Sequence, residues 1–156
     1  MSQNARPAIP KTIVTSTARA ANGNTGNLKD LSTDFASTGV VGITFNVTAF
    51  TVDASTAATA VRFYVDTSPD NGTTWVPVWV SAGVTSSTAI RTCLIKNGNV
   101  QSDVTNIDEF KEIHGVTTTT SQIPTQFPLS RDKRIRWVIA DNNVITFAAY
   151  GFSHPE

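Results

Sequence analysis

The octet Ser68-Pro69-Asp70-Asn71-Gly72-Thr73-Thr74-Trp75 constrains this chain more than any other stretch. It separates two apolar runs, Val61-Arg62-Phe63-Tyr64-Val65 and Trp75-Val76-Pro77-Val78-Trp79-Val80. Each residue type suits a tight turn. Pro69 pre-sets φ for the first corner, and Asp70 can accept hydrogen bonds from the amides just after it. Gly72 enters positive φ without a Cβ clash. Trp75 then opens the return strand with a large apolar side chain that can pack beneath the turn. The octet therefore predicts a β-hairpin, with Ser68, Asp70, Gly72, Thr74 and Trp75 as its structural residues.

The rest of the composition agrees with a sheet protein. Thr, Val and Ala are common while Lys, Glu, Leu and Met are scarce, the balance of an all-β chain rich in β-branched residues. At 156 residues one domain is expected, large enough to hold a core without staples. The formal net charge is zero and only 15% of residues are charged, which argues against a nucleic-acid partner. No apolar run has the length to span a bilayer, so no membrane partner is expected. The first residues, Met1 to Arg6, lack the apolar core of a signal peptide. Cys93 stands alone in an apolar run, which reads as a small core residue. Low charge also fits a surface that is partly covered in an assembly.

Along the chain, residues 1–26 read as an extended N-terminal arm and 27–156 as the β-sandwich domain. The arm holds Pro7, Pro10, a short apolar run around Ile13 and Val14, and the bases Arg6, Lys11 and Arg19, with no acid before Asp30. Fully extended, it would reach on the order of 80 Å. It could pair with a neighbouring subunit by strand addition. Residues 41–50 alternate, placing Val41, Ile43, Phe45, Val47 and Ala49 on the inner face. In the next strand Val61, Phe63 and Val65 point inward, and Arg62, Tyr64 and Asp66 outward. The run from Trp75 to Val80 is apolar on both faces, and Pro77 places it at an edge or a bulge. Residues 88–95 predict another strand. Asn106 to Ile113, with Ile107, Phe110 and Ile113 at helical spacing, predicts one short helix in a long loop. Residues 134–139 and 144–152 predict a closing hairpin, Ile135, Trp137 and Ile139 facing Ile145, Phe147 and Ala149. About eight strands with turns between them favour a β-sandwich of jelly-roll type.

No catalytic constellation is visible. The histidines are His114 and His154, neither near a Ser or Cys motif of known geometry, and they support no zinc site with Cys93. Oxygen ligands for Ca²⁺ could come from Asp66, Asp70 and Asn71, or from Asp141, Asn142 and Asn143. Such residues are turn formers first. The chain is expected to be no enzyme and to carry no cofactor.

Two resemblances bear on function. The octet is similar to the Asp-box of sialidases, Ser-x-Asp-x-Gly-x-Thr-Trp. One copy in a chain too short for a propeller implies a hairpin and not a sugar-cleaving enzyme. A wider pattern runs from Ile43 to Phe152. Phe63, Val65, Ser68, Asp70, Gly72, Thr74 and Trp75 are followed by Arg134, Ile135, Arg136 and Trp137, then by Phe147 and Phe152. This layout resembles virion structural proteins of tailed bacteriophages. It departs from that pattern in the 97–126 insertion and in the basic arm. The resemblance implies a non-enzymatic capsid decoration (cementing) protein, assembled in the host cytoplasm. It would bind the major capsid protein on the outer surface of the virion as a homo-oligomer, with a trimer favoured. Arg6, Lys11, Ile13, Val14, Arg19, Trp79 and Phe110 are then the candidate partner-binding residues. A tail, neck or baseplate subunit is the near alternative. A carbohydrate-binding module is the distant one, stacking sugars on Trp75, Trp79 and Tyr64.

Overall fold

The computed structural model describes residues 9–28, 40–51, 60–85, 88–96, 99–101, 126–128, 130–140 and 143–153. They form β1 (Ile9–Arg19), β2 (Gly23–Asn24), β3 (Val40–Thr51), β4 (Arg62–Thr67), β5 (Val76–Val80), β6 (Ala89–Lys96), β7 (Asn99–Gln101), β8 (Gln126–Pro128), β9 (Lys133–Val138) and β10 (Val144–Ser153). One sheet has the order β1-β10-β3-β6-β7-β8 and the other β2-β9-β4-β5, and every pairing is antiparallel. Among the described residues the protein is all-β.

The pairing is nested about the predicted hairpin. β4 pairs with β5, β3 with β6, β2 with β9 and β1 with β10. The Ser68–Trp75 turn is the tip of this long folded ribbon, and the ribbon's two halves alternate between the sheets.

The core lies between the sheets. Ile43, Phe45 and Val47 of β3, Cys93 of β6 and Ile145, Phe147 and Ala149 of β10 come from one side. Phe63 and Val65 of β4, Val78 and Trp79 of β5, and Ile135 and Trp137 of β9 come from the other. Rings bridge the two layers. Phe45 stacks on Phe63 at 4.5 Å and on Trp79 at 5.8 Å, while Phe63 and Trp137 meet Phe147 edge-on at 4.8 and 5.3 Å. Such ring pairs add roughly 0.5–1.5 kcal/mol each beyond area burial. Burial pushes the Cys93 thiol well above its ordinary range, which makes it an inert core group.

Several sequence expectations change. Residues 9–26 are no separate arm. β1 pairs with β10 along its length, β2 pairs with β9, and Val14 is buried in the core. The strand addition expected between subunits is made within the chain. The expected closing hairpin is absent too, because β9 and β10 belong to opposite sheets and face each other across the core. Ala49 is exposed. The register between β10 and β3 slips between Thr146 and Phe147, so the alternation beyond Val47 inverts and Phe50 turns inward instead. Pro77 lies on the edge strand of its sheet, beside the register shift between Val65 and Asp66. The expected helix at 106–113, with Phe110, lies outside the described residues. So do Arg6, both histidines and the Asp141-Asn142 turn.

Candidate functional site

The turn itself is a closed hydrogen-bond unit. Ser68 Oγ donates to Asp70 Oδ1 at 2.9 Å and accepts from the Gly72 amide at 2.8 Å. Asp70 Oδ1 also accepts from the Thr74 amide at 2.6 Å. These bonds, led by the Thr74 amide, hold the exposed Asp70 carboxyl below its usual range. Asn71 and Gly72 have φ of 57° and 86°, the left-handed pair that reverses the chain. The neighbouring loop locks the turn from behind. Ser68 N donates to Asp132 O at 2.9 Å, and Ser130 N to Thr67 Oγ1 at 2.8 Å. Asn27 Nδ2 donates to Asp132 Oδ1 at 2.6 Å. Ser68, Asp70, Gly72 and Thr74 are thus held in a structural clamp.

Trp75 begins a different arrangement on the outer face of the four-stranded sheet. Antiparallel register puts Tyr64 opposite Arg136 and Asp66 opposite Arg134, so these four side chains share one face. The Asp66 carboxylate is almost wholly buried, 1% exposed, yet it points away from the core. Two arginines cover it. Asp66 Oδ2 accepts from Arg134 Nε at 2.8 Å and Arg136 Nε at 3.0 Å, and Oδ1 accepts from Arg136 Nη2 at 3.2 Å. Each guanidinium also lies over a ring. Arg136 Cζ is 3.9 Å from the Tyr64 ring centre, and Arg134 Cζ is 4.6 Å from that of Trp75. Arg62 continues the row at the end of β4. The guanidiniums are thus fixed at one edge by a carboxylate and on one face by an aromatic ring.

The outer face of the six-stranded sheet is chemically different. Its central rows carry Thr44 and Asn46 from β3, Ile90 and Thr92 from β6, and Thr146, Ala148 and Tyr150 from β10, with no charged side chain. Thr44 and Thr92 share a hydroxyl hydrogen bond at 3.2 Å.

The residues proposed from sequence scatter over this frame. Trp79 is 3% exposed and stacks on Phe45, so it is a core residue and no contact for a partner. Val14 is likewise core, and Ile13 packs half-buried against it. Arg19 is a bolt. Its guanidinium sits over Trp137 at 5.2 Å and Phe147 at 4.7 Å, and it donates to the carbonyls of Thr15, Thr17 and Phe147. Lys11 lies half-buried on β1, also within the sheet. The Asp66 carboxylate, a candidate calcium ligand, is taken up by Arg134 and Arg136. Sequence reasoning noted Arg134 and Arg136 only as part of a wider resemblance. The period-two spacing Arg62-Tyr64-Asp66 beside Arg134-x-Arg136 carried the signal, but pairing the two rows requires the strand register.

No protein-family model, curated protein or solved structure matches the chain.

Proposed function

We propose that this protein is a non-enzymatic virion structural subunit of the capsid-decoration type, built as a jelly roll that binds the outer surface of a capsid shell. The nested strand order carries this reading. First strand beside last and second beside penultimate, around a central hairpin and in two facing sheets, is the winding pattern of double-sheet jelly rolls. That architecture is common to viral capsid domains and lectins. The pattern of Phe63 to Trp75, Arg134 to Trp137, and Phe147 with Phe152 adds the virion resemblance to the first of these. The subunit would act as a homo-oligomer, a trimer being favoured, so that repeated weak contacts add to firm attachment.

The carbohydrate reading is weaker. Of its three stacking platforms, Trp79 is in the core, and Tyr64 and Trp75 each have a guanidinium over one ring face.

The test is electron microscopy of virions made with and without the protein. Density on the outer shell that appears only with it, and re-forms when purified protein is added back, is the expected result. Density confined to tail, neck or baseplate would move the protein to those structures. Failure to associate with particles at all would end the virion reading.

A further inference from the structure

We infer that the Arg134–Arg136 face is a docking site for an extended acidic segment of a partner protein, carrying carboxylates on alternate residues. This rests on the virion reading only for the partner's identity; the chemistry stands on the face itself. Asp66 occupies Nε of Arg134, and Nε and Nη2 of Arg136. Both terminal nitrogens of Arg134, and Nη1 of Arg136, have no hydrogen-bond partner among the described residues. These side chains are only 21% and 27% exposed, so these donors are partly withdrawn from water. The two Nη groups of Arg134 form the forked end that takes a carboxylate in bidentate fashion. Arg134 and Arg136 are two residues apart on one strand, and their Nε atoms converge on the same Asp66 oxygen at 2.8 and 3.0 Å, which keeps those two atoms within about 6 Å of each other. Alternate side chains of a second extended chain repeat at roughly 6–7 Å, close to that separation, so two carboxylates can meet the outward ends of the two guanidiniums.

The aromatic rings complete the case. Tyr, Trp and Arg are the residues that concentrate binding energy at protein interfaces. Here they come pre-ordered, because Asp66, Tyr64 and Trp75 already fix the guanidiniums and little side-chain freedom is left to lose. Arg134 and Arg136 share a single carboxylate, which makes the pair complementary to an acidic partner.

The full-length protein, labelled with ¹⁵N, is titrated with a capped heptapeptide bearing glutamate at every second position. Expected are chemical-shift changes at Nε of Arg134 and Arg136 and at the Trp75 indole, weakened by salt and absent with the glutamine version of the peptide. Spacing the glutamates three apart should weaken binding roughly tenfold, the loss of one charge-assisted contact. No shifts at millimolar peptide, shifts elsewhere on the protein, or tighter binding of oligothymidylate would each overturn the inference.

Replacing one arginine alone would leave Asp66 buried and badly paired, so the matching variant is Asp66→Asn with Arg134→Gln and Arg136→Gln. This neutral set retains hydrogen-bonding groups at all three positions. A folded variant that no longer binds the peptide supports the site, and one that binds it unchanged refutes it. If wild type and variant decorate capsids equally, the site proposal fails while the virion reading stands. If the peptide binds this face but no capsid is decorated, the reverse holds.

Discussion

The two outer faces of this sandwich are built from the same backbone geometry and have opposite chemistry. On the four-stranded sheet, Asp66 is buried under Arg134 and Arg136, and their guanidiniums lie over Tyr64 and Trp75. On the six-stranded sheet, the central rows hold Thr44, Asn46, Ile90, Thr92, Thr146, Ala148 and Tyr150, neutral groups with no ion pair among them. The first face is a third layer of ordered side chains laid over the sheet. Among the described residues the second carries no such layer. Stability should therefore be sensitive to change on one outer face and tolerant on the other.

Asp66→Ala should show the largest effect. It leaves two half-buried cations side by side without their counter-ion, and we expect a loss of about 3 kcal/mol in urea unfolding. A loss below half a kcal/mol would mean that the layer is held by its rings alone. Gly72→Val should come next, at about 2 kcal/mol. The position has φ of 86°, and a Cβ there would stand 3.0 Å from Asn27 Nδ2. Because the turn positions β5 and Trp75, thermal melting of this variant should be accompanied by altered Trp75 fluorescence.

Lys133 offers a test by pH. It lies on β9 with Arg134 and Arg136 but points to the opposite side, buried, and donates to the Arg131 carbonyl at 3.1 Å. Burial lowers its pKa from 10.5 to about 8, partly offset by Asp132. Between these values the unfolded chain binds more protons than the folded one. Stability contributed by this position should thus rise as pH increases from about 8 to about 10.5, and Lys133→Met should flatten that rise in denaturant titrations. The smallest effect belongs to the neutral face. Thr44→Val with Thr92→Val removes one exposed hydroxyl pair, and the change should stay within about 0.5 kcal/mol. A larger loss would show that this face, too, is structurally committed.

Part of this molecule could be read in its sequence. The inward rows Val61-Phe63-Val65 and Ile135-Trp137-Ile139 follow from period two, and the turn from Pro69, Asp70 and Gly72. Other features depend on partners distant in the chain. Val144–Ser153 looks like the return of a hairpin because alternation does not say which neighbour a strand chooses. In the fold, Arg19, between Trp137 and Phe147, helps to fasten β1 to β10, and β9 lies in the opposite sheet. Ala49 and Phe50 exchanged roles at a bulge, a one-residue slip that composition does not mark. Asp66 looked like an outward, hydrated carboxylate until the register brought Arg134 and Arg136 over it. Arg19 suggested an external grip because its ring partners, Trp137 and Phe147, lie more than a hundred residues away.

The nested pairing also sets an order of events during synthesis. β4 and β5 are close in sequence and can join as soon as both are made, whereas β1, the first described strand to leave the ribosome, pairs with β10, the last. At ordinary translation rates the gap between them is roughly ten seconds. Through that interval Val14 has no core to enter and Arg19 lacks the rings that later hold it. Among the described pairings, the long-range closure of β1 on β10 is thus the last that can form and the one most exposed to pairing with another nascent chain.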